Sequence, residues 1–118
     1  MRNIGNVIMD YCERVEILIA TTTCSSPEDA RKISETLIES DLVACCQVDG
    51  PVQSYYKWSG EVNDETEWRI TMKYNPLDRE RVMRKAIEIH PYEVPQWVEL
   101  RAEAEKNFGN WVNKTQET

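Results

Sequence analysis

Histidine chemistry in this chain depends on a single residue, His90. It lies at the predicted C-terminal end of a helix, directly before Pro91, where the negative end of the helix dipole favours a protonated ring. A ring held in such a stiff loop is a candidate ligand for copper or zinc. The alternative is that His90 only caps the last carbonyl groups of its helix.

The four cysteines supply the other soft ligands, at positions 12, 24, 45 and 46. No CxxC pair is present, so no local zinc knuckle forms. Cys45 and Cys46 are neighbours on a predicted strand and therefore point to opposite faces, one into the core and one toward an interface or cleft. Cys24 is expected to be a plain loop thiol. Free thiols and the absence of a secretory signal predict a cytoplasmic protein.

A cluster of carboxylates follows Gly60 at Glu61, Asp64, Glu65 and Glu67. Carboxylate oxygens would collect hard divalent cations weakly. The alternative is a solvated strand edge that discourages pairing with other chains. The sequence leaves both interpretations open.

Charge and motif content exclude several classes of function. With 14 basic and 21 acidic residues the net charge is −7, which argues against binding to nucleic acid or to an anionic membrane. No apolar run approaches the ~18 residues of a membrane helix. No GxSxG, HExxH, phosphate loop or GxGxxG occurs, so we expect no enzymatic activity and no obligatory cofactor.

The elements that position these residues alternate as β-α-β-β-α-β, followed by a short C-terminal helix. Ser26-Pro27 and Asn75-Pro76 have the residue types of helix starts, and Pro91 ends the second helix. This order is the α+β, ferredoxin-like split βαβ arrangement. The predicted strands are 15–23, 42–58, 62–73 and 97–100, and the predicted helices are 26–41, 75–90 and 108–112. We assign residues 1–14 to an N-terminal extension and residues 15–118 to one domain.

One strand pattern and one helix pattern also predict which side chains are buried. Trp68, Ile70 and Met72 alternate with polar residues, as on a strand with one buried face. In the second helix the predicted inner stripe consists of five apolar residues, namely Val82, Met83, Ala86, Ile87 and Ile89.

The hairpin around Ser59-Gly60 is too long for a domain of this size. Residues 42–58 would span roughly 55 Å as a straight strand, whereas the domain should be only about 35 Å across. The antiparallel β2-β3 hairpin must therefore bend at Gly50-Pro51 or project as an arm. A projecting arm exposes aromatic side chains that a partner subunit would cover, so we infer an oligomer.

Several segments together resemble the CutA divalent-cation tolerance family. The resemblance extends over residues 15–114, and its most specific part is the HPYEVP segment. The matching residues are Asp41-Leu42-Val43-Ala44-Cys45-Cys46, Tyr56-Lys57-Trp58-Ser59-Gly60, His90-Pro91-Tyr92-Glu93-Val94-Pro95 and Trp111. Two positions differ from the family pattern: Gly50-Pro51 at the strand bend and Leu100-Arg101 after the last strand.

The resemblance implies a homotrimer whose three sheets pack around an axis and whose arms clasp the neighbouring subunits. The residues expected at the arm and trimer interface are Tyr56, Trp58, Trp68 and Trp111. Cys45 occupies the family's Ala-Cys step, which makes His90 and Cys45 the candidate metal ligands. The implied function is tolerance of divalent metal ions such as copper, by weak, reversible metal binding.

Two alternatives come from other functional classes. The similarity of CutA trimers to PII regulatory proteins suggests a signalling trimer that senses a small anionic ligand. In this chain the basic helix face between Arg79 and Lys85 would be the place for an anion, although such a face is more often only solvated. The second alternative is a structural trimer that serves as an interaction scaffold.

Overall fold

The chain folds into one four-stranded antiparallel sheet with the strand order β2-β3-β1-β4. A computed structural model describes residues 13–114, so residues 1–12 of the predicted N-terminal extension lie outside the described residues. The predicted α+β, ferredoxin-like order is confirmed. The elements are β1 Arg14–Cys24, α1 Pro27–Glu39, β2 Cys45–Trp58, β3 Glu61–Tyr74, a 3₁₀ turn Pro76–Asp78, α2 Arg79–Ile89, β4 Val98–Glu105 and α3 Lys106–Asn113.

Side-chain caps mark the start of α1 and of the 3₁₀ turn that precedes α2. The Ser26 hydroxyl accepts a hydrogen bond from the Asp29 amide at 3.0 Å, and Pro27 occupies the first turn of α1. The Asn75 side chain accepts from the Leu77 amide at 2.9 Å and starts the 3₁₀ turn that leads into α2. Both starts agree with the sequence prediction.

The core lies between the sheet and the helices α1 and α2. Trp68, Ile70 and Met72 face it as the alternation predicts, and Ile70 and Met72 are fully buried. Burial of each such side chain contributes roughly 1.5–3 kcal/mol. Besides β3, the buried apolar residues of this cluster are Leu18, Ala20, Cys24, Ala30, Ile33, Leu37, Val43, Val82 and Ala86.

The buried stripe of α2 is narrower than predicted. Val82 and Ala86 are buried, but Met83 and Ile87 are 38% and 41% exposed. Ile89 is partly buried and packs against the core as predicted, so α2 contacts the body of the protein through Val82, Ala86 and Ile89 rather than through all five residues of the predicted face.

Strand β4 is longer than the predicted 97–100, because it pairs with β1 as far as Arg14↔Glu105. Its second half alternates Ala102 and Ala104 with charged residues. Alanine gives only a weak apolar signal, which explains the underestimate.

The outer half of the β2-β3 hairpin is a two-stranded arm. Strand β1 pairs with β3 only from Leu18↔Tyr74 to Cys24↔Trp68, so residues 61–67 of β3 have β2 as their sole neighbouring strand among the described residues. We define the arm as residues 52–67. The molecule measures 64 × 29 × 22 Å, and its radius of gyration is 17.4 Å, against about 13 Å for a compact chain of this length. The hairpin therefore projects, as its length predicts.

The hairpin is also irregular where the sequence predicts a bend. The register of β2 against β3 shifts between Asp49 and Val52, and the Gly50–Pro51 peptide bond is cis. The indole of Trp68 lies directly against Gly50. The irregularity therefore marks the base of the arm.

The sheet face opposite α1 and α2 is largely uncovered by the described residues. Helix α3 packs only at one end of it, where a Cβ on Gly109 would lie 2.7 Å from that of Val15. Farther along this face, Val98 and Leu100 of β4 are 47% and 62% exposed. We call this surface the open sheet face. Within the described part of the chain, no helix is long and apolar enough to cross a membrane.

Candidate functional site

A cleft of about 680 Å³ lies between the arm and the loop that joins α2 to β4. Pairing of Ser54 with Glu65 and of Tyr56 with Asn63 places alternate residues of both strands on one face. The arm side of the cleft consists of Ser54, Tyr56, Trp58, Asn63, Glu65 and Glu67. The loop side consists of Tyr92, Glu93, Val94 and Gln96, and Tyr55 of the arm and Thr23 of β1 complete the lining. We call this space the acidic–aromatic cleft.

Glu67 lies at the base of the cleft and is only 7% exposed. Its Oε2 accepts a hydrogen bond from the Tyr92 hydroxyl at 2.8 Å. Burial, followed by this bond to a carboxylate, raises the pKa of Tyr92 well above its usual value. This hydrogen-bonded pair therefore links the loop to the base of the arm.

Glu65 makes a similar but solvent-exposed pair nearer the tip, where its Oε1 accepts from the Tyr56 hydroxyl at 2.7 Å. This hydrogen bond is the main reason that the pKa of Tyr56 is raised. With Glu93, the cleft has three carboxylates, and no Lys or Arg of residues 13–114 lines it. Its chemistry favours a positively charged ligand.

His90 is buried beside this cleft, and both of its ring nitrogens have backbone partners. Nδ1 accepts from the Tyr92 amide at 3.1 Å, so the proton must be on Nε2, which donates to the Thr23 carbonyl at 3.0 Å. Burial is the main cause of the lowered pKa of His90. The expectation that the helix dipole favours the charged ring is therefore wrong, because desolvation outweighs it.

His90 is the C-cap residue of α2, where its backbone N–H donates to the Ile87 carbonyl at 3.3 Å, but its side chain does not cap the helix carbonyls, because Nε2 reaches a carbonyl of β1. The ring instead fixes the start of the loop against the end of β1. A metal ion would reach a ring nitrogen only after one of these two hydrogen bonds is lost. His90 as a metal ligand stays a prediction.

Cys45 and Cys46 point to opposite faces of β2, as predicted. Cys46 packs against the core, and burial raises the pKa of its thiol to about 11. Cys45 is partly exposed and lies opposite Lys73, on the open sheet face. The expectation of a loop thiol at Cys24 is wrong: its side chain faces the helices from the last position of β1 and is fully buried.

The chain does not bring Cys45 and His90 together. Cys45 pairs with Lys73, whereas Thr23, the partner of His90, pairs with Arg69. Four residues of β3 separate these positions, about 13 Å along the strand. Nor does the described part of the chain contain any group of three His, Cys, Asp or Glu side chains placed to hold a metal ion. Residues 13–114 of one subunit therefore hold no group of three ligands that would chelate a metal ion.

The four aromatic residues predicted at the arm and interface occupy different environments. Trp58, Tyr56 and Trp111 are 70%, 39% and 52% exposed. Trp68 packs within its own chain, against Gly50 and the core. The assignment of these residues to a subunit interface stays a prediction.

The sequence interpretation missed Tyr92 and Gln96 as parts of a site, and it considered Glu93 only as an orienting group for Cys/His catalysis. Tyr92 belongs to the HPYEVP segment, which was the available signal. Its partner Glu67 is 25 positions away, so their contact depends on the tertiary fold.

Comparison with known proteins decides the family. The family model described as CutA1 divalent ion tolerance protein matches residues 18–115. The chain belongs to the CutA1 family. The recognition made from the sequence motifs is thereby confirmed.

Individual CutA proteins are similar over most of this chain. The divalent-cation tolerance protein CutA of Thermus thermophilus is 30% identical over 97 residues, which are 81% of this chain and 94% of that protein. The crystal structure of CutA1 from Ehrlichia chaffeensis has a TM-score of 0.81 and 32% identity, covering 84% of this chain and 94% of the other. The PII-like protein CutA from Nostoc has a TM-score of 0.76 and 33% identity, covering 83% and 95%.

A further solved CutA, from Archaeoglobus fulgidus, is named as periplasmic. It has a TM-score of 0.79 and 25% identity, and the match covers 84% of this chain and 97% of that one. The cytoplasmic location expected from the sequence therefore stays a prediction.

Proposed function

We propose that this CutA1-family chain forms a homotrimer that supports tolerance of divalent metal ions by weak, reversible binding of copper or a similar ion. The observation that carries the proposal is the position of Cys45. Its thiol is partly exposed on the open sheet face, whereas the thiols of Cys24 and Cys46 are buried in the core or against it. A thiolate is a suitable ligand for copper.

Assembly is supported by apolar surface that the described part of the chain leaves uncovered. Leu100 and Val98 are exposed on the open sheet face, and Trp58 is exposed on the arm. Exposed apolar surface of this extent is typical of protein interfaces. A second and third copy packed on the open sheet face would cover it and bring further ligands toward each Cys45.

Weak binding follows from the number of ligands. Among the described residues, one subunit supplies one accessible soft ligand, Cys45, fewer than the four of a structural zinc site. Within one subunit His90 is too far from Cys45 to bind the same ion, so it could add a ligand only from a neighbouring copy, after its ring leaves the Tyr92 amide or the Thr23 carbonyl. Reversible uptake suits a tolerance protein better than permanent metal retention.

We propose a non-enzymatic role in the cytoplasm. The single histidine, which any Cys/His catalysis would need as a base, has both ring nitrogens bound to backbone groups. Free thiols at positions 24, 45 and 46 suit a reducing compartment.

A PII-like signalling role is the second candidate, favoured by the similarity to the Nostoc protein named PII-like. On the basic face of α2, Arg79 pairs with Glu99 at 2.5 Å and Arg81 pairs with Asp78, so an anionic ligand there would depend on Arg84 and Lys85. The acidic–aromatic cleft also repels anions. An anion sensed by this chain would therefore bind at the basic face of α2 and not in the cleft.

Native mass spectrometry of the reduced protein during a copper titration tests the proposal. We expect a trimer that takes up copper in saturable multiples of three. Cys45→Ser should abolish most of the uptake, while Cys46→Ala, the neighbouring thiol on the core side, should retain it. Comparison with His90→Ala tells whether the imidazole is a second ligand.

A trimer that stays free of copper would reject metal binding as the direct function and leave the fold and family unchanged. Detection of the monomer alone would contradict the proposed trimer. Equal copper uptake by Cys45→Ser and the parent protein would show that the metal ion does not bind at Cys45 on the open sheet face.

A further inference from the structure

We infer that the acidic–aromatic cleft binds a small organic cation that carries ammonium or guanidinium groups. This inference concerns the arm and the loop, and it goes beyond the proposed function, which places a metal ion at Cys45 on the open sheet face. It depends on three features of the cleft: a buried carboxylate, the surrounding aromatic rings and the size of the space.

The buried carboxylate is Glu67. More than nine-tenths of this residue is buried, yet its hydrogen-bond partner is the neutral phenol of Tyr92. None of the ion pairs recorded between described residues includes Glu67. Buried charges in proteins are normally paired with an opposite charge. A bound cation would provide that charge.

Aromatic rings line the cleft at increasing distance from this carboxylate: Tyr92 contacts it, and Tyr56 and Trp58 pair with residues four and six positions farther along β3. Tyr56 and Trp58 come from the arm and Tyr92 from the loop, so rings line both sides of the cleft. The electron-rich faces of Trp and Tyr attract ammonium and guanidinium groups. The combination of carboxylates and rings is therefore selective for an organic cation over an anion or a neutral molecule.

The size of the cleft and the spacing of its carboxylates argue against a bare metal ion. A volume of about 680 Å³ lies within the range of roughly 300–1,000 Å³ that is usual for small-molecule sites. The described residues also lack a cluster of three ligands that would chelate a metal. Glu65 and Glu67 lie two residues apart on one face of β3, roughly 7 Å along the strand. Two carboxylates at that distance suit a ligand with more than one donor group.

The test is isothermal titration calorimetry of the intact, assembled protein with agmatine, which carries a guanidinium at one end and an ammonium at the other. Sodium chloride is kept at about 0.15 M so that general attraction to the acidic protein is screened. We expect saturable binding at one site per chain, and no binding of glutarate, a dianion of similar length.

Three carboxylate variants decide whether binding is in the cleft. Glu65→Gln and Glu67→Gln should each weaken agmatine binding by about ten-fold or more, as expected for the loss of a charge-assisted hydrogen bond. Glu88→Gln removes the same charge from the exposed side of α2 and should leave binding unchanged. Glu65 is exposed, so its variant keeps the test valid if Glu67→Gln impairs folding.

Absence of saturable agmatine binding would overturn the inference, including the case in which a neighbouring subunit fills the cleft. Equal weakening by Glu65→Gln and Glu88→Gln would also overturn it, because the attraction would then be non-specific. Both results are independent of copper uptake at Cys45, so this inference and the proposed function fail separately.

Discussion

Strand β3 passes through two environments, and the contrast between them explains much of this protein. Residues 68–74 lie between β1 and β2 under the helices α1 and α2, with Ile70 and Met72 fully buried. Residues 61–67 have only β2 beside them, and Val62 is 76% exposed. One continuous strand thus belongs both to the core and to an arm.

The two regions obtain their stability from different sources. In the body, apolar side chains are buried by their own chain, so their contribution is part of monomer folding. In the arm, Trp58 and Tyr55 are 70% and 72% exposed, so their contribution must come from another subunit or from a ligand. The acidic–aromatic cleft lies where the regions meet, between the arm and a loop anchored on the body.

The largest expected effect is at Trp68, at the base of the arm. Trp68→Ala removes an indole that packs on Gly50 and the core, and it should lower the free energy of unfolding by about 3 kcal/mol or more. Chemical denaturation at a fixed subunit concentration measures the change.

Trp58→Ala is the matched variant in the arm. Because Trp58 is 70% exposed in one chain, we expect little change in secondary structure but a clear weakening of assembly, measured by sedimentation or native mass spectrometry. An unchanged assembly would show that the arm does not contact a neighbouring subunit through this residue.

The next effect distinguishes two glycines of the same hairpin. A Cβ at Gly50 would lie 2.5 Å from Cδ1 of Trp68, so Gly50→Ala should destabilise the fold by about 2 kcal/mol through overpacking. Gly60 meets nothing within 4 Å and has a φ of +80°, so Gly60→Ala should cost only about 1 kcal/mol of turn strain. Thermal unfolding of both variants provides the comparison, and an equal or reversed order would contradict the packing of Trp68 on Gly50.

Tyr92→Phe tests the tie between the loop and the arm. It removes the hydroxyl that donates to buried Glu67, so we expect a loss of about 1–2 kcal/mol in the free energy of unfolding. Tyr56→Phe removes a similar donor from the exposed Glu65 and should have a smaller effect. Equal effects in urea denaturation would mean that burial of Glu67 is unimportant.

The smallest expected effect is a pH dependence through His90. Its pKa is lowered in the folded protein, so the folded state disfavours protonation relative to the unfolded chain. The stability that His90 contributes is fully present above the unfolded pKa of about 6.5, and it is lost as the pH falls through the folded pKa. We therefore expect the difference in melting temperature between the parent and His90→Gln to shrink as the pH is lowered from 8 to 5. A difference that grows toward low pH would contradict a neutral, buried ring.

The sequence predicts the fold well because the fold depends on local signals. Ser26-Pro27 begins a helix by capping and by its backbone angles, and the alternation at Trp68, Ile70 and Met72 determines which face of β3 is buried. Neither signal requires knowledge of distant residues. The length of the hairpin likewise predicts a projecting arm from the rise per residue alone.

The candidate site is less predictable because its parts are far apart in the chain. The His90 ring meets the carbonyl of Thr23, 67 positions away, and the Tyr92 hydroxyl meets Glu67, 25 positions away. The helix dipole suggests a charged His90, but burial against β1 decides in favour of the neutral ring.

By itself, the sequence determined the order of the elements, the helix starts, the opposite orientations of Cys45 and Cys46 and the family. Each of these depends on residue type and short spacing. Only the tertiary structure decided that Cys24 is a core residue, that His90 and Cys45 lie apart, and that the arm and the loop enclose an acidic cleft. Those features follow from which strands pair and which faces are covered, and strand pairing joins residues that no local pattern connects.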